Sequence, residues 1–199
     1  MKILKLLMVV CSLLAVTGCA AIFGRSTDDP AIKLKWAAEH YNNLNEPQKA
    51  EKLIVEAIQI YTKNNDQFGL AEAYRNYGLF FRSRAVEKFE KTYRDTGFLD
   101  TTAKSGTRLA KSIEYFNKAR TIYADYGRLD ALSSLDISIA KTYDLMNRKS
   151  DACNSFYLSL ESFALYKLSV LENDAPLSDE ISRYEDYIDE LKKQTGCTS

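Results

Sequence analysis

The strongest constraint on this chain is a spacing that returns along its length. Ala50, Ile54 and Ala57 lie four and three residues apart. Ser112, Phe116 and Ala119 repeat that spacing, and so do Ala152, Phe156 and Ser159. Ahead of each set a small residue and an aromatic lie three apart: Ala38 and Tyr41, Gly78 and Phe81, Ala140 and Tyr143. Positions three and four apart share one face of an α-helix. A small residue at the crossing lets two antiparallel helices approach, and the aromatic fills the space beside it. Ala38 to Ala50 and Ala140 to Ala152 both span twelve residues, so the chain reads as recurring helix pairs. The composition agrees. With 8 Gly and 3 Pro in 199 residues, there are too few breakers for a turn-rich β fold.

The segment AEAYRNYGLFF (71–81) places Tyr74, Tyr77, Gly78 and Phe81 where the tetratricopeptide (TPR) consensus has Trp, Leu, Gly and Tyr. SIEYFNKA (112–119) resembles the second-helix consensus, with Ser112 in place of Ala. Over about residues 30–165 the chain therefore resembles the TPR family. The resemblance implies an all-α fold of antiparallel helix pairs, stacked as a short right-handed solenoid. Two departures stand out. Gly78 to Ser112 is 34 residues rather than twelve, so the middle repeat carries an insertion at about 84–107. Asp136 falls where a large apolar residue is usual, which makes the first helix of the third repeat the least regular.

Residues 1–18 read as an address. Lys2 and Lys5 precede a short apolar run, the pattern of a secretory signal peptide rather than a membrane span. Val16-Thr17-Gly18-Cys19 resembles the bacterial lipobox. That resemblance implies cleavage before Cys19 and acylation of Cys19. With Ala20 next, it also implies an outer-membrane lipoprotein of a Gram-negative cell, facing the periplasm. Loss of the leader leaves 25 basic and 27 acidic residues, so the neutral sum of 27 and 27 becomes slightly acidic. Residues 19–29 read as the lipidated Cys and tether, and ten flexible residues span roughly 17 Å. Residues 30–176 form the helical repeat domain, with helix starts at Asp29-Pro30 and Glu46-Pro47. Residues 177–199 form a capping helix and tail, with Ser178 as N-cap and a stripe of Ile181, Tyr184, Ile188 and Leu191.

Cys153 and Cys197 remain after Cys11 leaves and Cys19 is acylated. Cys153 opens the last repeat's second helix, and Cys197 follows a capping helix expected to run antiparallel to it. A disulfide is the expectation, in a compartment that permits one; the alternative is two separate thiols.

Enzyme chemistry is poorly provided for. The one His, His40, excludes most His-based catalysis and His-based metal sites, and no phosphate loop, HExxH or nucleophile elbow is present. No cofactor, metal or small-molecule substrate is expected. Near-zero charge argues against nucleic acid. The TPR resemblance instead implies a protein partner on the concave face of the first helices. Carried over position by position, that face comprises Lys35, Glu39 and Asn42, then Arg75, Leu79 and Arg82, then Ile137, Lys141 and Asp144. The function expected is a non-catalytic adaptor or assembly factor for an envelope complex of the secretion, pilus or outer-membrane biogenesis type. The alternative is a periplasmic inhibitor or immunity-type lipoprotein that neutralises a toxin or hydrolase. The insertion is a second candidate surface. Residues 82–95 are expected to extend the helix, with Val86, Phe89 and Tyr93 near one face. Residues 96–107 are expected to form a loop, with Phe98 and Leu99 as an apolar pair.

Overall fold

The structure is a computed structural model that describes residues 27–172 and 179–197. The leader, Cys19, the tether up to residue 26 and the expected N-cap Ser178 lie outside the described residues. All regular structure among the described residues is helical. The α-helices are α1 (Pro30–Glu39), α2 (Pro47–Lys63), α3 (Gln67–Arg82), α4 (Arg84–Lys88), α5 (Glu90–Thr96), α6 (Arg108–Asp125), α7 (Leu129–Leu145), α8 (Lys149–Glu172) and α9 (Asp179–Thr195). A π-helical turn over His40–Leu44 continues α1.

Local chemistry sets the helix ends. Asp29 Oδ1 accepts the Ala31 N–H at 2.8 Å and the Ile32 N–H at 3.3 Å, while Pro30 sits where its missing N–H has no partner to lose. Asn45, left-handed at φ 51°, closes the π turn and hands over to Pro47. Asp66 caps α3 through the Gly69 N–H at 2.8 Å.

The helices pack as antiparallel partners: α1 on α2, α3 on α6, α7 on α8. Lys33 early in α1 pairs with Glu56 late in α2 at 2.6 Å. Between α3 and α6, Tyr123 donates to Glu72, Ser112 donates to the Gly78 carbonyl at 2.7 Å, and Arg108 donates to the Phe81 carbonyl at 3.0 Å. Between α7 and α8, Ser159 donates to the Ser133 carbonyl at 2.8 Å. The crossing of α3 and α6 is as close as the small residues allow. A Cβ at Gly78 would stand 2.5 Å from the Phe116 ring. Three contiguous apolar clusters run through these pairs, and Phe80, Phe116 and Phe156 are fully or almost fully buried in successive ones.

α9 covers the last pair. Ile188 is buried against Ile137, Ala140 and Phe156, and Tyr184 stacks on Phe163 with centroids 4.1 Å apart. The Tyr184 hydroxyl also bonds the Ser133 and Ser159 hydroxyls. Cys153 and Cys197 form a disulfide with Cα atoms 5.6 Å apart. It closes a loop with a sequence separation of 44, which the chain-entropy account values at about 4 kcal/mol.

The insertion departs from expectation. The α3 helix does not run on. Ser83 takes an extended conformation (ψ 151°) and its hydroxyl accepts the Val86 N–H, starting the short α4 and then α5. The break turns Val86 and Tyr93 onto the core. Phe98 is buried too, stacked on Tyr93 at 4.1 Å and packed edge-on to Phe81 at 5.0 Å, whereas Leu99 stays exposed. Burying three large side chains outweighs continuation of a solvated helix. Glu51 of α2 secures the loop. Its Oε1 accepts both the Leu99 N–H and the Tyr77 hydroxyl at 2.8 Å. On the other side Lys111 meets Thr102 at 2.8 Å and Asp100 at 3.5 Å.

Asp136 does not disturb α7. It is buried there, with Oδ1 accepting Arg120 Nε at 2.9 Å and Oδ2 left without a partner. Burial pushes its carboxyl up, and the Arg120 guanidinium opposes this.

Candidate functional site

The pairing leaves the first helices α1, α3 and α7 beside one another, with α9 following. Contacts between these helices decide which of the expected binding residues meet. Tyr41, in the π turn that continues α1, is buried against α3. Its ring packs edge-on to Phe80, with centroids 6.4 Å apart, in the first core cluster. Its hydroxyl lies in the field of Arg75 and Arg82, and the neighbouring Asn42 is exposed. Burial nevertheless dominates and pushes the Tyr41 phenol up to about 12.

Arg82 spans α3 to α7 by donating Nη1 to the Ser138 carbonyl at 3.0 Å. Burial lowers its pKa, and the nearby groups that oppose the shift are the hydroxyls of Tyr41 and Tyr187. One turn along α7, Lys141 donates to the Tyr187 hydroxyl at 2.8 Å and lies 5.4 Å from that ring's centroid. Arg75 meets Glu72 only loosely at 3.5 Å, and its buried Nε has no hydrogen-bond partner. Arg75, Arg82 and Lys141 thus form a cationic band bordered by two tyrosines, with half-buried Leu79 on the same helix as the arginines.

Other expected members stand apart. Lys35, Glu39 and Asp144 are exposed and make none of these contacts. Ile137 is not a surface residue. α9 lays Ile188 over it, and it belongs to the core. Tyr41 and Tyr187 were absent from the expected set. For Tyr41, which is 5 % exposed, the available signal was Tyr in place of Phe at a core aromatic position, because a buried hydroxyl seeks a polar neighbour; Tyr187 is 46 % exposed and carried no such signal.

The insertion pairs its own charges, with Lys91 on Asp95 at 2.7 Å and Arg94 on Glu90 at 2.9 Å. Lys91 and Arg94 are therefore salt-bridged on a solvated surface. His40 Nδ1 lies 2.8 Å from Glu46 Oε2, across the turn between α1 and α2. Among the described residues no group of three or more His, Cys, Asp or Glu could hold a metal, and no helix is long and apolar enough to cross a membrane. An open cleft of about 610 Å³ lies beside the disulfide, between Lys149 and Tyr157 of α8 and Gly196. It holds none of the cationic band. No protein-family model matches this chain, and no curated protein and no solved structure matches it either.

Proposed function

We propose that this chain is a lipid-anchored adaptor that holds a protein partner on the shared face of α1, α3, α7 and α9. In this reading Cys19 carries the acyl chains, the tether keeps the domain near the outer membrane, and the domain faces the periplasm. The helix pairs form a short right-handed TPR-like solenoid, and the partner belongs to an envelope complex. The protein performs no catalysis. The observation that carries the reading is the Arg82–Ser138 bond at 3.0 Å, which joins the faces of two first helices at the positions where the TPR resemblance places a partner. The lipobox at 16–19 supports the anchor, and the close Gly78–Phe116 crossing supports the repeat assignment. The test is capture of the partner by the wild-type protein and by a charge-reversed Arg75→Glu/Arg82→Glu variant whose circular dichroism is unchanged. Weakened capture is expected. Undiminished capture would move the site off this face.

A further inference from the structure

We infer that the outer face of α1, carrying Ile32 and Trp36, seats on the lipid surface beside the acyl anchor. This rests on the anchor in the adaptor reading and adds how the domain stands on the membrane. Leu34, Ala37 and Tyr41 turn one side of this first segment to the core, where all three are buried. At about 100° per residue, Ile32 and Trp36 fall on the opposite side, one turn apart. Ile32 is 38 % exposed and Trp36 is half-buried. Among the described residues neither packs into any of the three apolar clusters. α1 is therefore apolar on two sides, and a helix of that kind is ordinarily covered on both. α2 and α3 cover one side. α1 is the first helix among the described residues, so no earlier helix pair there covers the other.

The bilayer is the occupant within reach. Cys19 precedes Asp29, the N-cap of α1, by ten residues, a reach of roughly 17 Å. Trp36 is the one Trp in the chain, and an indole suits the headgroup layer because its ring is apolar and its N–H can stay wet. The charges around the pair are Asp28, Asp29, Lys35 and Glu39, three acids against one base. Lys33 is taken by Glu56 at 2.6 Å. Headgroup charge therefore does not recruit this face. Two apolar side chains bind a membrane weakly alone, and the anchor supplies the high local concentration that lets them insert. Seating thus depends on acylation, and it fixes one end of the helix array against the bilayer.

With one Trp in the chain, its fluorescence reports on this face alone. The native full-length protein is reconstituted into vesicles of phosphatidylethanolamine and phosphatidylglycerol, with and without brominated phosphatidylcholine, and its flotation with the vesicles is measured alongside. Trp36 emission is expected at shorter wavelength than in the lipid-free Cys19→Ser protein, and bromine is expected to quench it. Ile32→Gln, an exposed substitution that leaves the core intact, should lessen both effects while flotation stays complete. Quenching that Ile32→Gln leaves unchanged would mean proximity without seating and overturns the inference. A shift to shorter wavelength without bromine quenching would assign the face to a second copy or another protein, and also overturns it. Flotation with Trp36 neither shifted nor quenched overturns it too and leaves the adaptor reading standing. Native protein that fails to float removes the anchor itself, and the inference with it.

Discussion

Replacing Glu51 by Gln should make the protein more stable above neutral pH and flatten its pH dependence. Glu51 is only 2 % exposed, and its Oε1 accepts the Tyr77 hydroxyl and the Leu99 N–H. Desolvation outweighs these hydrogen bonds and the nearby Asp100 adds to it, raising the carboxyl from 4.5 to about 7. The raised value means that the folded state holds the proton more tightly than the unfolded chain does. The stability from this group is fully present below pH 4.5 and is lost as pH rises through 7. At 1.36 kcal/mol per pH unit, the difference amounts to about 3 kcal/mol, a large share of an ordinary folding free energy. Asp100, Glu114 and Asp130 are held below their usual values, so their opposite contributions fall at acid pH, outside this range. A Gln oxygen can accept the same two hydrogen bonds without a charge. Urea unfolding followed by circular dichroism at pH 5 and pH 8 measures both proteins. Asp136, whose carboxyl burial also pushes up, is shared by both proteins, so the wild type should lose about 3 kcal/mol more than the Gln variant between the two. Equal wild-type stability at both pH values, or the same loss in the variant, would refute the reasoning.

Gly78→Ala should destabilise by about 1–3 kcal/mol, because the added Cβ would stand 2.5 Å from the Phe116 ring; thermal denaturation checks it, and an unchanged Tm would mean that α3 and α6 do not cross so closely. Cys153→Ser should cost about 4 kcal/mol and expose α9 to proteolysis first; free thiols at both cysteines in the native protein would show that the staple is absent. Cys19→Ser should release the protein from the membrane fraction, and unaltered fractionation would remove the anchor.

The helix pairs were legible because their signals are local and short-range. The crossing at Gly78, Ser112 and Phe116 follows from spacings of three and four, and the Asp29-Pro30 start follows from capping. The disulfide followed from placing two helix ends together. What was hidden depended on residues far apart in sequence. Residues 82–95 have good helical periodicity, yet Ser83 ends α3 so that Tyr93 and Phe98 can reach the aromatic core. Glu51 looks like a solvated residue until Tyr77 and Leu99, 26 and 48 residues away, converge on it. Asp136 is explained only by Arg120 on another helix. In the candidate site, Arg75, Arg82 and Lys141 were readable by position. Tyr187 was not, because it is half-exposed on α9 and meets Lys141, 46 residues away, only through the fold.

The most direct test of the adaptor account is crosslinking of the native lipoprotein in its membrane, followed by mass spectrometry of the linked peptides. The lysines report on separate surfaces: Lys35 and Lys141 on the first-helix side, Lys88, Lys91 and Lys104 on the insertion. The account predicts one recurrent partner linked through Lys35 and Lys141. Links confined to Lys88, Lys91 and Lys104 would contradict it.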